Sequence, residues 1–238
     1  MPTKTKNKDY FIEWLKQIAN ETKHLKSINV IGHDINRIIN ENEQLSRDSS
    51  LWRYLNKSFI CNVIINLTKI LEPPRYRNGN EIEGDKSFQC FLKKLDPQFV
   101  LSEEEFSSMY MQAPADFLSD CWTDEMIKQT QQEHYAKRSQ EYKSLTNSTS
   151  PAEYVNNDKK ELEKLFKYFV DFRVHYVAHL KETKEIAPIK YEEITTAIES
   201  IINLVTKYSL LLDGTRPTYV NYKPKYGNVF EIPWKKTE

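Results

Sequence analysis

The chain has 238 residues, in which 34 Lys and Arg are balanced by 34 Asp and Glu and only 5 glycines occur. That length suits one domain carrying an insertion, and zero formal charge excludes nucleic-acid binding driven by a global field, so any RNA contact must be local. Apolar residues recur at helical spacing far more often than they alternate, which points to an all-α fold rather than a sandwich or a doubly wound sheet.

The first residues, Met1 to Lys8, are basic, but no apolar core of a secretory signal follows them. No run approaches the roughly 20 apolar residues that cross a bilayer, so a membrane span is not expected. Cys61, Cys90 and Cys121 are odd in number and widely spaced, without a Cys-x-x-Cys pair. This fits reduced thiols in a cytoplasmic protein and argues against a cysteine zinc site.

Asp9 is placed to cap a helix whose stripe is Tyr10, Phe11, Trp14, Leu15 and Ile18, expected to run to about Ser27. Beyond Gly32, the residues Ile35, Ile38, Ile39 and Leu45 suggest a second helical segment. Asp48, Ser49 and Ser50 offer caps for a helix from Leu51 to Leu71, expected to be the central buried element and ended by Pro73-Pro74. The stretch from Arg75 to Asp85 reads as an exposed loop. In it Arg75 and Arg77 flank Tyr76, a set able to pair with phosphate and stack on a base, although such loops are usually solvated surface.

Short helices are expected from Ser87 to Leu95 and from Ser102, where Ser102 and Glu105 have capping-box spacing. A mostly polar helix should cover Asp124 to Leu145, and Asn147 to Pro151 has the composition of a linker. A long amphipathic helix then begins after Asn157 and runs to about residue 180, with Leu162, Leu165, Phe166, Phe169, Phe172, Tyr176, Val177 and Leu180 on one broad face. A last strong helix spans about 190–212, where Asp213-Gly214 ends it. The tail, 218–238, reads as an extended arm or a small hairpin.

Arg173 falls in the middle of the apolar face of the long helix, and a guanidinium cannot shed its charge there. It needs an acidic or carbonyl partner or a bound anion. Asp171, His175 and His179 crowd the same helix end. Arg173 and His179 are six positions apart, about 120° around a straight helix and about 9 Å along it. They can meet on one ligand only if the helix is distorted near Ala178, if the arginine bends round, or if a second copy of the chain supplies half the site. Asp171, His175 and His179 also have a spacing that metal ligands can use, but three ligands over two turns of one straight helix do not converge easily, and no metal or other cofactor is expected.

A helix ending in Arg173-x5-His179, with Ala178 before the histidine and Leu180 after it, is followed by a polar loop, Pro188-Ile189-Lys190-Tyr191-Glu192-Glu193-Ile194 and a closing apolar helix. This arrangement resembles the HEPN superfamily, and within it the AbiU-like branch named for phage abortive infection. The likeness is best over Leu162 to Leu212 and weaker in Leu51 to Leu71. The resemblance implies an antiparallel bundle with core helices at about 51–71, 157–180 and 190–212 in a single unit, 1–217, and an insertion at about 73–156. It implies a homodimer whose arginine and histidine face one cleft, RNA or nucleotide as ligand, and an antitoxin as a further partner.

Many HEPN proteins are metal-independent ribonucleases acting as toxins or antiviral effectors, so the implied catalytic pair is Arg173 and His179, with Asp171, His175 and Tyr176 as supporting residues. The family commonly carries Asn, Asp or His directly after the arginine, where this chain has Val174. Two other readings stand beside the nuclease. One is a site that only binds RNA or nucleotide. The other is structural, with Arg173 paired to Glu72 and His179 capping the helix through its carbonyls.

Overall fold

The computed structural model describes residues 7–41, 50–77, 80–81, 86–109, 123–174 and 189–219. Seven α-helices lie in these segments: α1 Lys8–Glu41, α2 Ser50–Leu71, α3 Phe88–Lys94, α4 Glu103–Ser108, α5 Asp124–Thr146, α6 Pro151–Phe172 and α7 Tyr191–Asp213. A two-residue hairpin, β1 Tyr76–Arg77 and β2 Asn80–Glu81, and one 3₁₀ turn at Pro97–Phe99 complete them.

The long helices run antiparallel. Glu21 meets Lys69 and Gly32 meets Phe59, which orients α1 against α2. Asn29 bonds Thr195, while residues near Lys16 share a hollow with Asp213, which orients α1 against α7. Lys207 reaches Asp158 and Glu193 reaches Tyr168, which orients α6 against α7. The all-α bundle expected from periodicity is therefore the observed architecture. Its core takes Phe11, Trp14 and Leu15 from α1, Val63, Ile64 and Leu67 from α2, Leu162 and Phe169 from α6, and Ile194, Ile201 and Val205 from α7. A smaller cluster of Leu101, Phe106 and Leu210 seats α4 and α5 on the end of α7.

Several boundaries differ from those expected. Helix α1 is continuous through Gly32 rather than split there. That glycine makes room instead of a turn: a Cβ on it would overlap the Phe59 ring, which is itself stacked on Tyr191 at 5.4 Å between centroids. Helix α6 begins at Pro151, not after Asn157. A proline at the first helical position loses no needed donor, and the linker shrinks to Asn147–Ser150, in which Asn147 and Ser148 are left-handed with φ of 51° and 56°. The loop after α2 contains the small hairpin, with Tyr76 opposite Glu81.

Other local signals hold as read. The Ser102–Glu105 capping box is formed, and Gly214 ends α7 with φ 73°. The end of α2 is sealed by the buried Gln89, whose amide donates to the Leu71 carbonyl at 2.6 Å, just where Pro73 and Pro74 prevent another turn. Most of the tail expected at 218–238 lies outside the described residues.

Among the described residues a buried ion pair sits within the bundle. Lys207 Nζ is 2.7 Å from Asp158 Oδ2, and the Tyr208 hydroxyl donates to the same oxygen at 2.7 Å. Lys207 also lies 4.8 Å above the Tyr154 ring. Burial, with the Asp158 charge adding to it, drives the Tyr208 hydroxyl far above its ordinary pKa, so the phenol stays protonated and keeps donating.

Candidate active site around Arg173

Arg173 stands where α6 stops being regular. Its N–H donates to both Phe169 O and Val170 O, and the backbone widens into a π-type turn over Arg173 and Val174. Such one-turn widenings insert an extra residue and re-aim the side chains that follow; they occur often at functional sites. A departure from regular α-helix thus begins at the arginine itself, whereas the distortion expected near Ala178 falls outside the described residues. Ala178 lies outside the described residues, as do His175, Tyr176 and His179.

The guanidinium is half-buried. Its Nη1 donates to Thr68 Oγ1 at 3.3 Å. Thr68 is fully buried on α2, and its hydroxyl proton goes to the Ile64 carbonyl at 2.8 Å or the Ile65 carbonyl at 3.1 Å. That hydroxyl can only accept from Arg173, so the pairing is fixed in direction. The expected structural partner, Glu72, is instead 2.6 Å from Arg75. Among the described residues no carboxylate lies within ion-pair distance of Arg173. The cation is therefore held by a neutral oxygen, which positions it without cancelling its charge.

Next to Arg173, Val174 is 41% exposed, and Ile65, one turn before Thr68, is 43% exposed; Tyr168, on the α7 side of α6, is 49% exposed. Asp171 is exposed on the same helix end. Tyr168 donates to Glu193 across the α6–α7 contact, and partial burial followed by that carboxylate raises its pKa. Glu193 is lowered, first by the Lys190 backbone N–H that it caps and then by Tyr168. The turn preceding α7 is so tied to the last turn of α6.

The structure brings together only part of the predicted set. Arg173 and Asp171 share one helix end, whereas Arg75 belongs to the hairpin region, exposed and paired with Glu72. Arg77 lies in β1 opposite Asn80. Thr68 was missed by sequence reasoning, although a signal exists: it is the one hydroxyl in the buried stripe Ile64, Leu67, Thr68, Leu71.

A family model described as HEPN_AbiU2 (AbiU2) matches residues 8–231. The chain belongs to this HEPN family. The match spans far more than the stretch from Leu162 to Leu212 that carried the likeness, and its range takes in all seven helices. No curated protein and no solved structure matches the chain. The AbiU2 bundle described above is thus an all-α HEPN protein of an abortive-infection family. Among its described residues no helix is long and apolar enough to cross a membrane.

Proposed function

We propose that this AbiU2 protein is a metal-independent endoribonuclease, acting in the cytoplasm as a toxin or phage-defence effector from an Arg173/His179 site completed by dimerisation. The observation that carries the reading is the state of Arg173: a half-buried guanidinium at a widened turn, oriented by Thr68 and left uncompensated by any described carboxylate. A charge held that way suits the non-bridging oxygens of a phosphate. In the proposed reaction an imidazole takes the proton of a ribose 2′-hydroxyl, whose oxygen attacks the adjacent phosphorus. The bond to the 5′-oxygen breaks, that oxygen receives a proton, and the products are a 2′,3′-cyclic phosphate and a 5′-hydroxyl. His179 supplies the proton transfers near neutrality, and Arg173 steadies the charge gathering on the phosphoryl oxygens. His175, Tyr176 and Asp171 support them.

Val174, exposed directly after the arginine, and Ile65, exposed one turn before its partner Thr68, support a second copy of the chain covering this end of the bundle, so that two sites share one cleft. Residues 1–217 would form the single helical unit, with 73–156 as its insertion. Light scattering tests the assembly: a homodimer is expected, and a strict monomer at high concentration even with RNA present would contradict the shared cleft.

A non-catalytic reading, in which the site binds RNA or nucleotide only, draws support from Val174. It follows the arginine directly, is open to solvent, and has no proton to give. RNA retention without cleavage, lost in Arg173→Ala at unchanged melting temperature, would select it.

A further inference from the structure

Helices α1 and α7 lie antiparallel, and one furrow runs between them on a single face of the pair. On α1 Lys16, Lys23, Val30 and Asp34 fall within about 40° of one another, as do Thr195, Ile202, Thr206 and Asp213 on α7. Two hollows lie along this furrow. Lys16, Asn20 and Asp213 line the first together with Thr215 and Pro217, so the chain leaving α7 already lies in it. The second, about 540 Å³, has an aliphatic floor of Val30, Ile198 and Ile202 with polar and charged residues around it.

After Gly214 the chain doubles back along the furrow. Tyr219 is half-buried beside Thr206, two turns back from Asp213, and Lys26 Nζ lies 5.7 Å above its ring. Side chains on the way alternate as in an extended strand. Pro217 and Tyr219 face the helices, whereas Arg216 turns away to Glu141 and Thr218 is exposed. Tyr219 is the last residue described there, and it stands at the mouth of the second hollow, which Lys26 also lines.

Length and chemistry carry the path onward. From Thr206 to Thr195, at the far end of the second hollow, α7 rises about 16 Å, and five extended residues cover about the same distance. Residues 220–224 read Val-Asn-Tyr-Lys-Pro. Val220 favours extended backbone, and Pro224 restricts Lys223 to it. The alternation shown by Pro217 and Tyr219 turns Asn221 and Lys223 toward the helices. Lys223 comes about 13 Å beyond Tyr219, and Asp34 lies about 12 Å beyond Lys26 along α1. Arg37 engages Asp34 only loosely, at 3.7 Å. The family match also runs on past Tyr219, to residue 231.

We propose that residues 220–224 dock as an extended strand in the α1–α7 furrow of their own chain, with the Lys223 stem over Val30 and Ile198 and its ammonium on Asp34. A lysine suits this place, because its methylenes cover the aliphatic floor while its charge reaches the rim. The docked strand ties α1 to α7 and carries the helical unit past residue 217. It is separate from the ribonuclease reading and does not depend on it.

Carbodiimide coupling of the full-length wild type tests this, since the reagent joins an amine to a carboxylate only where the two are already in contact. The expected product is an amide between Lys223 Nζ and Asp34 within one chain, with Lys225, Lys235 and Lys236 coupled to Asp34 far less. Mass spectrometry on mixed isotope-labelled and unlabelled protein separates links within a chain from links between chains. Asp34→Asn should abolish the link. Val30→Lys, which sets a like charge under the strand, should cut its yield about fivefold, and circular dichroism checks that both variants fold. Absence of the Lys223–Asp34 link in wild type, equal coupling of the other three lysines, or an unchanged yield in Val30→Lys would overturn the proposal. A link found only between labelled and unlabelled chains would overturn docking in the parent chain and make a second copy's tail the occupant.

Discussion

Among the described residues Thr68 Oγ1 is the acceptor that orients Arg173, and Thr68→Val removes it while keeping nearly the same shape in the α2 stripe. Arg173 Nη1 sits 3.3 Å from Thr68 Oγ1, longer than the 2.7–2.9 Å usual for charge-assisted pairs. The loss should therefore fall at or just below the low end for a hydrogen bond to a charged group, about 1–1.5 kcal/mol. If that energy orients the cation for a phosphate, RNA cleavage or binding should fall by about 5- to 12-fold, at roughly 1.4 kcal/mol per tenfold.

Stability should change little. The half-buried guanidinium can turn to water, and the valine satisfies the apolar neighbours Ile64, Leu67 and Leu71. A shift under about 1 kcal/mol corresponds to no more than about 2–4 °C in a chain of this length. Thr68→Ser, which keeps the hydroxyl, should recover most of the activity. RNA assays and thermal melts on the two variants check this together. If Thr68→Val equals wild type in activity while Arg173→Ala is inactive, the threonine does not position the arginine.

Lys207→Met should destabilise the protein by about 3–5 kcal/mol, because it leaves Asp158 buried with Tyr208 as its remaining donor; a melting temperature within about 2 °C of wild type would refute this. Gly32→Ala should cost about 1–3 kcal/mol despite alanine's better helix propensity, since the new methyl overlaps a Phe59 ring held against Tyr191. Phe59→Leu in the same chain should recover part of the loss in a thermal melt. Glu103, Glu105 and Glu193 are all held below the ordinary carboxylate range, Glu103 first by Ser139 and Lys143, Glu105 by Ser102 and Glu193 by the Lys190 backbone. Folded pKa values below unfolded ones mean stability that is complete above the unfolded value of about 4.3 and is lost as pH falls through the folded values. A triple Glu→Gln variant should lose part of that acid dependence in denaturant titrations between pH 5 and about pH 2, and an unchanged pH profile would contradict the caps.

The bundle was legible because each long helix carries a stripe at helical spacing, and because caps such as Ser102 and Gly214 are local chemistry. Gly32 misled for a tertiary reason. Only the Phe59 ring on another helix explains a glycine there, and nothing near it in sequence reports that ring. Pro151 misled for a positional one, since proline ends a helix interior yet suits its first turn. Arg173 stood out as a cation inside an apolar face, but its partner did not: Glu72 looked available from sequence, while the structure gives Glu72 to Arg75 and Arg173 to a neutral hydroxyl on α2. The widened turn was invisible because no residue type encodes it.

The central claim is that Arg173 and His179 form a ribonuclease site without metal, and cleavage of single-stranded RNA in chelator tests it most directly. Wild type should cut RNA, leave DNA of the same sequence intact and produce 2′,3′-cyclic phosphate ends. His179→Ala should lose about 10²- to 10⁴-fold in rate, and Arg173→Ala a comparable factor, at melting temperatures close to wild type. RNA left uncut by the folded wild-type dimer, or cut equally well by His179→Ala, would contradict the account.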